Sequence, residues 1–80
     1  MLLAGKVALV TGAGQGVGQG IALALATEGA RVAVTGRTLE KLESTCDDIR
    51  RRGGEALPLV CDVKDGASLA ATVDATVSEF

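Results

Sequence analysis

The sequence has no histidine, tyrosine or tryptophan, and its only aromatic residue is Phe80. Without an imidazole or a phenol, the 80 residues hold no Ser-His pair, no imidazole base and no phenolic acid. The two cysteines, Cys46 and Cys61, have no histidine and no second cysteine pair to complete the ligand pattern of a zinc site. We therefore expect no catalytic residue and no metal ligand within this chain, which is short enough for one domain at most.

Charge and hydropathy patterning exclude further classes of protein. The net charge of −2 and the lack of aromatic side chains that could stack on bases argue against a nucleic-acid partner. No apolar run approaches the roughly 18 residues of a membrane span, and no basic segment with a long apolar stretch opens the chain as a secretory signal would. A lone disulfide between Cys46 and Cys61 is not expected in an unsecreted chain. These absences predict a cytoplasmic protein that binds neither nucleic acid nor membrane.

The sequence is rich in hydrophobic residues (48%) and glycine (11), and this composition is that of a globular protein. Residues 6–11 (KVALVT) form a short apolar run typical of a parallel strand that is buried on both faces. Residues 12–20 (GAGQGVGQG) place a glycine at every second position. Residues 21–26 (IALALA) are strong helix formers, and the helix is expected to end at Glu28 and Gly29. This order predicts a strand, a glycine loop and a helix.

The alternation of strand and helix then continues. Residues 31–35 (RVAVT) predict a second strand, and Thr38 can cap a second helix. The apolar positions of that helix recur at helical spacing and are Leu39, Leu42, Cys46 and Ile49. Residues 50–52 are all arginine, which suits the negative end of the helix dipole, and Gly53 with Gly54 ends the helix. We interpret the three arginines as a solvated helix end rather than as a nucleic-acid site.

A third unit completes the pattern. Residues 56–61 (ALPLVC) predict a strand, and Pro58, which has no backbone N–H to donate, places that strand at a sheet edge. Asp65 can cap a final helix, whose predicted apolar face is Leu69, Val73 and Val77, with Phe80 close behind. Three strands alternating with three helices predict an α/β fold. It is half of a doubly wound parallel sheet (βαβαβα, strand order 3-2-1), with the first two helices on one face and the last on the other.

The glycines after the first strand have positions that suit a phosphate-binding loop. Gly12 allows a sharp turn off the strand end, and Gly16, which lacks a Cβ, lets a pyrophosphate approach the N–H groups of the helix N-terminus. Gly18 permits close packing of the helix on the sheet. The partial positive charge of the helix end also favours an anion there. The alternative is that these glycines serve tight packing alone.

Other glycine-rich motifs fail on specific residues. The phosphate loop of nucleotide hydrolases has a lysine and then serine or threonine after its last glycine, whereas Gln19 follows Gly18 here. The G-x-G-x-x-G fingerprint would need a glycine at position 17, 19 or 21, depending on the register. A methyltransferase loop would have an acidic residue before the glycines and another at the end of the second strand, where this chain has Thr11 and Gly36.

Residues 11–18 (TGAGQGVG) resemble the T-G-x-x-x-G-x-G cofactor motif of the short-chain dehydrogenase/reductase family. Asp62 and Val63, after the third strand, resemble the family's acidic-then-apolar signature. The resemblance covers essentially all 80 residues and implies the N-terminal portion of an NAD(P)-binding Rossmann domain. It implies that Asp62 binds the adenine amino group and that Val63 lines the adenine pocket. The residues of the glycine loop that it implies in cofactor binding are Gly12, Gly14, Gln15, Gly16 and Val17.

The later features of that family have no counterpart in this chain. An Asn-Asn-Ala-Gly segment, a catalytic Ser and a Tyr-x-x-x-Lys pair are absent, and Ser44, Ser68 and Ser78 lie on predicted helices. The resemblance therefore implies that residues 1–80 are truncated before strand 4 of an NAD(P)-dependent oxidoreductase, which moves a hydride to or from a carbonyl or alcohol. We expect the 80 residues alone to be inactive and the full-length parent to be a homo-oligomer. The alternative function is a non-catalytic dinucleotide-binding or interaction module.

Cofactor preference depends on the end of the second strand. Family members that prefer NAD usually have an acidic residue there to bind the ribose hydroxyls, whereas this chain has Gly36, followed by Arg37 and Thr38. A guanidinium binds a 2′-phosphate through charge-assisted hydrogen bonds, and a carboxylate would repel it. Gln15 stands where NADP-preferring members often have a basic residue, and its side chain suits either cofactor. Arg37 and Thr38 therefore predict NADP as the cofactor, with NAD as the alternative.

Overall fold

The computed structural model describes residues 3–61 and 66–80, and within them strands and helices alternate as predicted. The first pair of elements is β1 (Val7–Val10) and α1 (Gly16–Thr27), and the second is β2 (Arg31–Gly36) and α2 (Leu39–Arg51). The third pair is β3 (Ala56–Val60) and α3 (Gly66–Glu79). The predicted βαβαβα alternation is confirmed.

The three strands form one parallel sheet with β2 in the middle. Val10 of β1 is in register with Val34 of β2, and Val34 is in register with Pro58 of β3. The observed order, β1-β2-β3, is the order 3-2-1 counted from the opposite edge. Among the described strands β3 pairs only with β2. It therefore holds an edge position, which tolerates a proline.

The strand that is buried along its length is β2, not β1 as the sequence predicts. Residues 32–35 of β2 have no exposed surface, because a strand lies on each side of β2 and both α1 and α2 pack against it. In β1 only Val10 is buried, and Val7 is 47% exposed. Within the described residues β1 pairs with β2 alone, so its outer edge has no strand against it.

The hydrophobic core lies between the sheet and the first two helices. Helices α1 and α2 contact each other and both contact β2, so they cover the same face of the sheet. The predicted apolar face of α2 is correct for Leu42, Cys46 and Ile49, which are fully buried against Val32 and Val34. Leu39 is an exception, since it sits in the first turn of α2 and is 45% exposed.

The predicted apolar face of α3 is wrong at Val77, which is 75% exposed. Thr72 and Thr76 are buried instead, and the hydroxyl of Thr76 donates to the carbonyl oxygen of Thr72 at 2.8 Å. A threonine that bonds its own helix backbone has no unpaired hydroxyl, so it can face the interior of the fold. The side chains of Leu69 and Val73, and the predicted cap Asp65, lie outside the described part of the chain.

Candidate functional site

The loop that follows β1 is held by the backbone of the neighbouring strand. The N–H of Ala13 donates to the carbonyl oxygen of Thr35 at 2.9 Å, and the hydroxyl of Thr35 donates to the carbonyl oxygen of Val10 at 2.8 Å. Gly12 and Gly16 have φ angles of +63° and +60°, a left-handed conformation that glycine adopts without strain. The loop therefore turns back over the carboxyl ends of β1 and β2 in a conformation that its sequence favours.

Helix α1 starts at Gly16, inside the glycine-rich segment, rather than at the strong helix formers that begin at residue 21. The reason is the contact between its first turn and the loop. A Cβ added to Gly18 would lie 2.7 Å from the carbonyl carbon of Gly12, which is inside contact distance. Glycine weakens a helix by roughly 1 kcal/mol per residue relative to alanine. Here that penalty is offset because only glycine permits so close an approach.

Helix α2 packs against the other side of the same loop. A Cβ on Gly14 would lie 2.9 Å from the Cβ of Lys41, so the backbone of the loop lies directly against side-chain atoms of α2. The hydroxyl of Thr45, fully buried, donates to the carbonyl oxygen of Ala13 at 3.0 Å. The loop is therefore fixed between α1, β2 and α2.

These elements border an open cavity of about 700 Å³ at the carboxyl ends of β1 and β2. A volume of this size is in the range of small-molecule and cofactor sites, and this end of an open parallel sheet is where such ligands bind. The predicted binding residues that line it are Gly12, Gly14, Gln15, Arg37 and Thr38. The other lining residues are Thr11, Gly36, Lys41, Leu42 and Cys61.

The cavity wall is rich in hydrogen-bond donors and positive charge. Arg37 and Lys41 are both exposed, and no carboxylate belongs to the described residues that line the cavity. The ammonium of Lys41 donates to Oε1 of Gln15 at 2.6 Å, which joins α2 to the glycine loop across the wall. Such a surface favours an anionic ligand.

A comparison with known protein families gives the decisive observation. Residues 6–80 match the family model described as short chain dehydrogenase. The chain belongs to this family. Members of the short-chain dehydrogenase family bind NAD(P) nucleotide cofactors, which agrees with the position, size and charge of the cavity.

Relatives of known name resemble this short-chain dehydrogenase chain over nearly its whole length. D-threitol dehydrogenase of Mycolicibacterium smegmatis is 45% identical over 78 residues, which is 98% of this chain and 30% of that protein. A probable 2,4-dienoyl-CoA reductase 3 of Caenorhabditis elegans is 44% identical over 98% of this chain and 26% of its own length. The chain thus spans between a quarter and a third of these two relatives.

Solved structures agree with the fold. The crystal structure of hydroxysteroid dehydrogenase from Escherichia coli superposes on 96% of this chain with a TM-score of 0.94 and 38% identity, and the match covers 33% of that chain. A short-chain type dehydrogenase/reductase from Mycobacterium marinum gives a TM-score of 0.93 at 43% identity, over 96% of this chain and 31% of that one. The Rossmann-type architecture predicted from the sequence is therefore confirmed.

Two of the predicted binding residues of this short-chain dehydrogenase chain, Gly16 and Val17, do not line the cavity. They form the start of α1, where Val17 is 81% exposed. Asp62 and Val63 lie outside the described residues. Thr38 is the N-cap residue of α2, as predicted, but its hydroxyl makes no capping hydrogen bond. It therefore lies at the cavity wall without the capping bond that the sequence predicts.

Lys41 is the charged lining residue that the sequence does not predict. The available signal is its position in the first turn of α2, three residues after the N-cap Thr38. That position faces the glycine loop only because α2 packs on Gly14, and this tertiary contact is not visible in the spacing of residues.

Cys46 does not have the character of a nucleophile. Cys46 and Cys61 are buried free thiols. Burial raises the pKa of the Cys46 thiol, and the nearby Arg50 charge opposes this shift without cancelling it. A thiol with a raised pKa stays protonated at neutral pH and reacts poorly.

The described part of the chain gives no sign of a metal centre or of a membrane segment. No group of three or more His, Cys, Asp or Glu side chains is placed there to hold a metal ion. None of its helices has the length and apolar character needed to cross a membrane.

Proposed function

We propose that residues 1–80 are the N-terminal portion, ending before strand 4, of the NAD(P)-binding domain of an oxidoreductase that transfers a hydride to or from a carbonyl or alcohol. The observation that carries the proposal is the cavity at the carboxyl ends of β1 and β2, with the glycine loop on one side and Arg37, Thr38 and Lys41 on the other. Family membership over residues 6–80 supports the same assignment.

The space beside the N-terminus of α1 suits the pyrophosphate of a dinucleotide. No atom lies within 4 Å of the position that a Cβ on Gly16 would take, so the chain leaves open space beside the N-terminus of α1. A pyrophosphate in this space would meet backbone N–H groups and the positive end of the helix dipole. The cofactor supplies the hydride chemistry when it is bound. The role of this chain is to bind and orient the cofactor.

The side chains at the end of β2 support NADP over NAD. Gly36 provides no carboxylate at the strand end, and the exposed guanidinium of Arg37 and the hydroxyl of Thr38 follow it directly. A fixed array of guanidinium N–H groups can pair with phosphate oxygens at two points at once. We assign the 2′-phosphate of NADP to this side of the cavity.

Asp62 and Val63 complete the proposed adenosine site. Their assignment rests on the family resemblance, in which the acidic residue after strand 3 binds the adenine amino group and the next residue lines the pocket. Cys61, the residue before them, lines the cavity, so the chain leaves β3 at the cavity wall.

The coding sequence beyond Phe80, together with a turnover assay, tests this proposal. An open frame that continues with Asn-Asn-Ala-Gly and Tyr-x-x-x-Lys, and NADPH-dependent reduction of at least one carbonyl in a substrate panel, are the expected results. A stop codon directly after Phe80, in a product that binds a dinucleotide without turnover, contradicts the enzyme and favours a non-catalytic binding module.

A further inference from the structure

The pairing of Lys41 with Gln15 gives the cavity a feature that the family motif does not contain. In this family an NADP-preferring member often has a basic residue immediately before the middle glycine of the motif, and this chain has Gln15 there. The structure brings the ammonium of Lys41 to 2.6 Å from the side-chain oxygen of Gln15. A positive charge therefore lies beside position 15, although it comes from α2 rather than from the loop.

The position of Lys41 is set by the packing beneath it. The Cβ of Lys41 faces the Cα of Gly14 so closely that a Cβ on Gly14 would lie 2.9 Å away. The carbonyl oxygen of Lys41 also accepts a hydrogen bond from Thr45 at 3.2 Å, and the same hydroxyl reaches Ala13 of the loop. The Thr45 hydroxyl and the contact of the Lys41 Cβ with Gly14 therefore fix the start of the Lys41 side chain beside the glycine loop.

The chemistry of the pair leaves donors for an anion. An ammonium has three N–H donors and no acceptor, so Gln15 presents its oxygen to Lys41 and keeps the two donors of its amide nitrogen. Lys41 keeps two further N–H donors, and Arg37 lines the same cavity with a guanidinium. Among the described lining residues there is no carboxylate to neutralise the two cations.

We propose that Lys41, oriented by Gln15, acts with Arg37 to bind the 2′-phosphate of NADP, so that α2 supplies the cation that the glycine loop lacks at position 15. This inference rests on the proposed function and names a specificity residue for it. Lys41 then discriminates between the two dinucleotides, because only NADP carries the charge that it binds.

The test compares affinities in the full-length parent by titration calorimetry. The ligands are NADP and NAD, together with adenosine 2′,5′-bisphosphate and AMP as fragments with and without the 2′-phosphate. We expect Lys41→Met to weaken NADP and the bisphosphate about tenfold, the loss expected for a hydrogen bond between charged groups. We expect NAD and AMP to bind as before, and Lys41→Arg to retain most of the affinity for NADP. Lys6→Met is the control, because it removes an equal charge at an exposed position outside the cavity lining.

The outcomes separate this inference from the proposed function. If Lys41→Met weakens NADP and NAD equally, Lys41 only supports the shape of the loop, and the inference is wrong. If it weakens neither, the inference is also wrong, whereas the proposed function survives. If the unaltered protein binds neither dinucleotide, the proposed function itself fails, and if it prefers NAD, the assignment of the 2′-phosphate site fails.

Discussion

Gly18 of α1 lies directly against the backbone of Gly12, with no space for even one methyl group between them. This contact joins the first turn of the helix to the turn that leaves β1. The cavity depends on it, because the loop could not fold back over the strand ends if α1 stood further from the sheet. The glycines of the loop therefore have separate roles, and substitutions can distinguish them.

The first prediction compares two glycines of α1. Gly18→Ala places a methyl group too close to the carbonyl group of Gly12. We expect this overpacking to lower the free energy of unfolding by about 3 kcal/mol. Gly20→Ala meets no atom within 4 Å, and we expect it to stabilise the helix by about 0.5–1 kcal/mol. Urea unfolding of the full-length parent measures both. Equal stability of the two variants would show that the contact between Gly18 and Gly12 is not tight.

The second prediction concerns the open space at Gly16. We expect Gly16→Val to abolish cofactor binding and to leave the fold largely intact, because the side chain would occupy the space assigned to the pyrophosphate. The φ angle of +60° adds backbone strain to this substitution. Gly53→Val is the matched control, since Gly53 has a φ angle of +84°, also has open space beside it, and follows the C-terminus of α2 rather than opening α1.

Titration with the cofactor measures the affinity of each variant, and circular dichroism checks that the fold is retained. Gly53→Val should be strained to a similar degree and should still bind the cofactor. Unchanged cofactor affinity in Gly16→Val, or an equal loss of affinity in both variants, would show that the pyrophosphate does not bind at this position.

The third prediction reverses the cofactor preference. Gly36→Asp combined with Arg37→Gln should lower the ratio of kcat/KM for NADP to that for NAD, because the double variant loses the guanidinium and gains a carboxylate for the ribose hydroxyls. A Cβ on Gly36 would lie 3.1 Å from Cδ2 of Leu42, so Gly36→Ala is the control for this steric contact. A parent that already prefers NAD before mutation would show that the role assigned to Arg37 is wrong.

The fourth prediction concerns residues 1–80 expressed alone. We expect them to be inactive, because they contain no tyrosine for proton transfer. We also expect them to associate through exposed apolar surface. Within the described residues β1 has an unpaired outer edge, and Val7, Val60 and Val77 are 47%, 56% and 75% exposed. Gel filtration and NADPH turnover measure the two properties. A soluble monomer with cooperative unfolding refutes the expectation that the chain associates, and turnover refutes the expectation that it is inactive.

Local sequence patterns are sufficient to predict the elements and their order. Short apolar runs predict the strands, and Thr38 and Gly53 predict the ends of α2. These signals depend on residues that are adjacent in the chain. For the same reason they misplace the start of α1, where the tertiary contact of Gly18 with Gly12 outweighs the low helix propensity of glycine.

The errors in burial also have tertiary causes. The sequence predicts β1 as buried on both faces, yet burial depends on which strands and helices lie beside it, and β2 holds the central position. In α3, Thr76 can be buried because its hydroxyl bonds the helix backbone. Hydropathy alone therefore predicts the wrong buried residue at Val77, which is exposed. The position of Lys41 at the cavity is not predictable from local sequence, because it depends on the packing of α2 against Gly14.

A calorimetric titration of the full-length parent with NADPH and with NADH tests the proposed cofactor site directly. We expect saturable binding of one dinucleotide per chain, with NADPH the tighter ligand, and loss of binding in Gly16→Val but not in Gly53→Val. Failure of the unaltered, folded protein to bind either dinucleotide would contradict the assignment of the cavity between the glycine loop and α2 as a cofactor site.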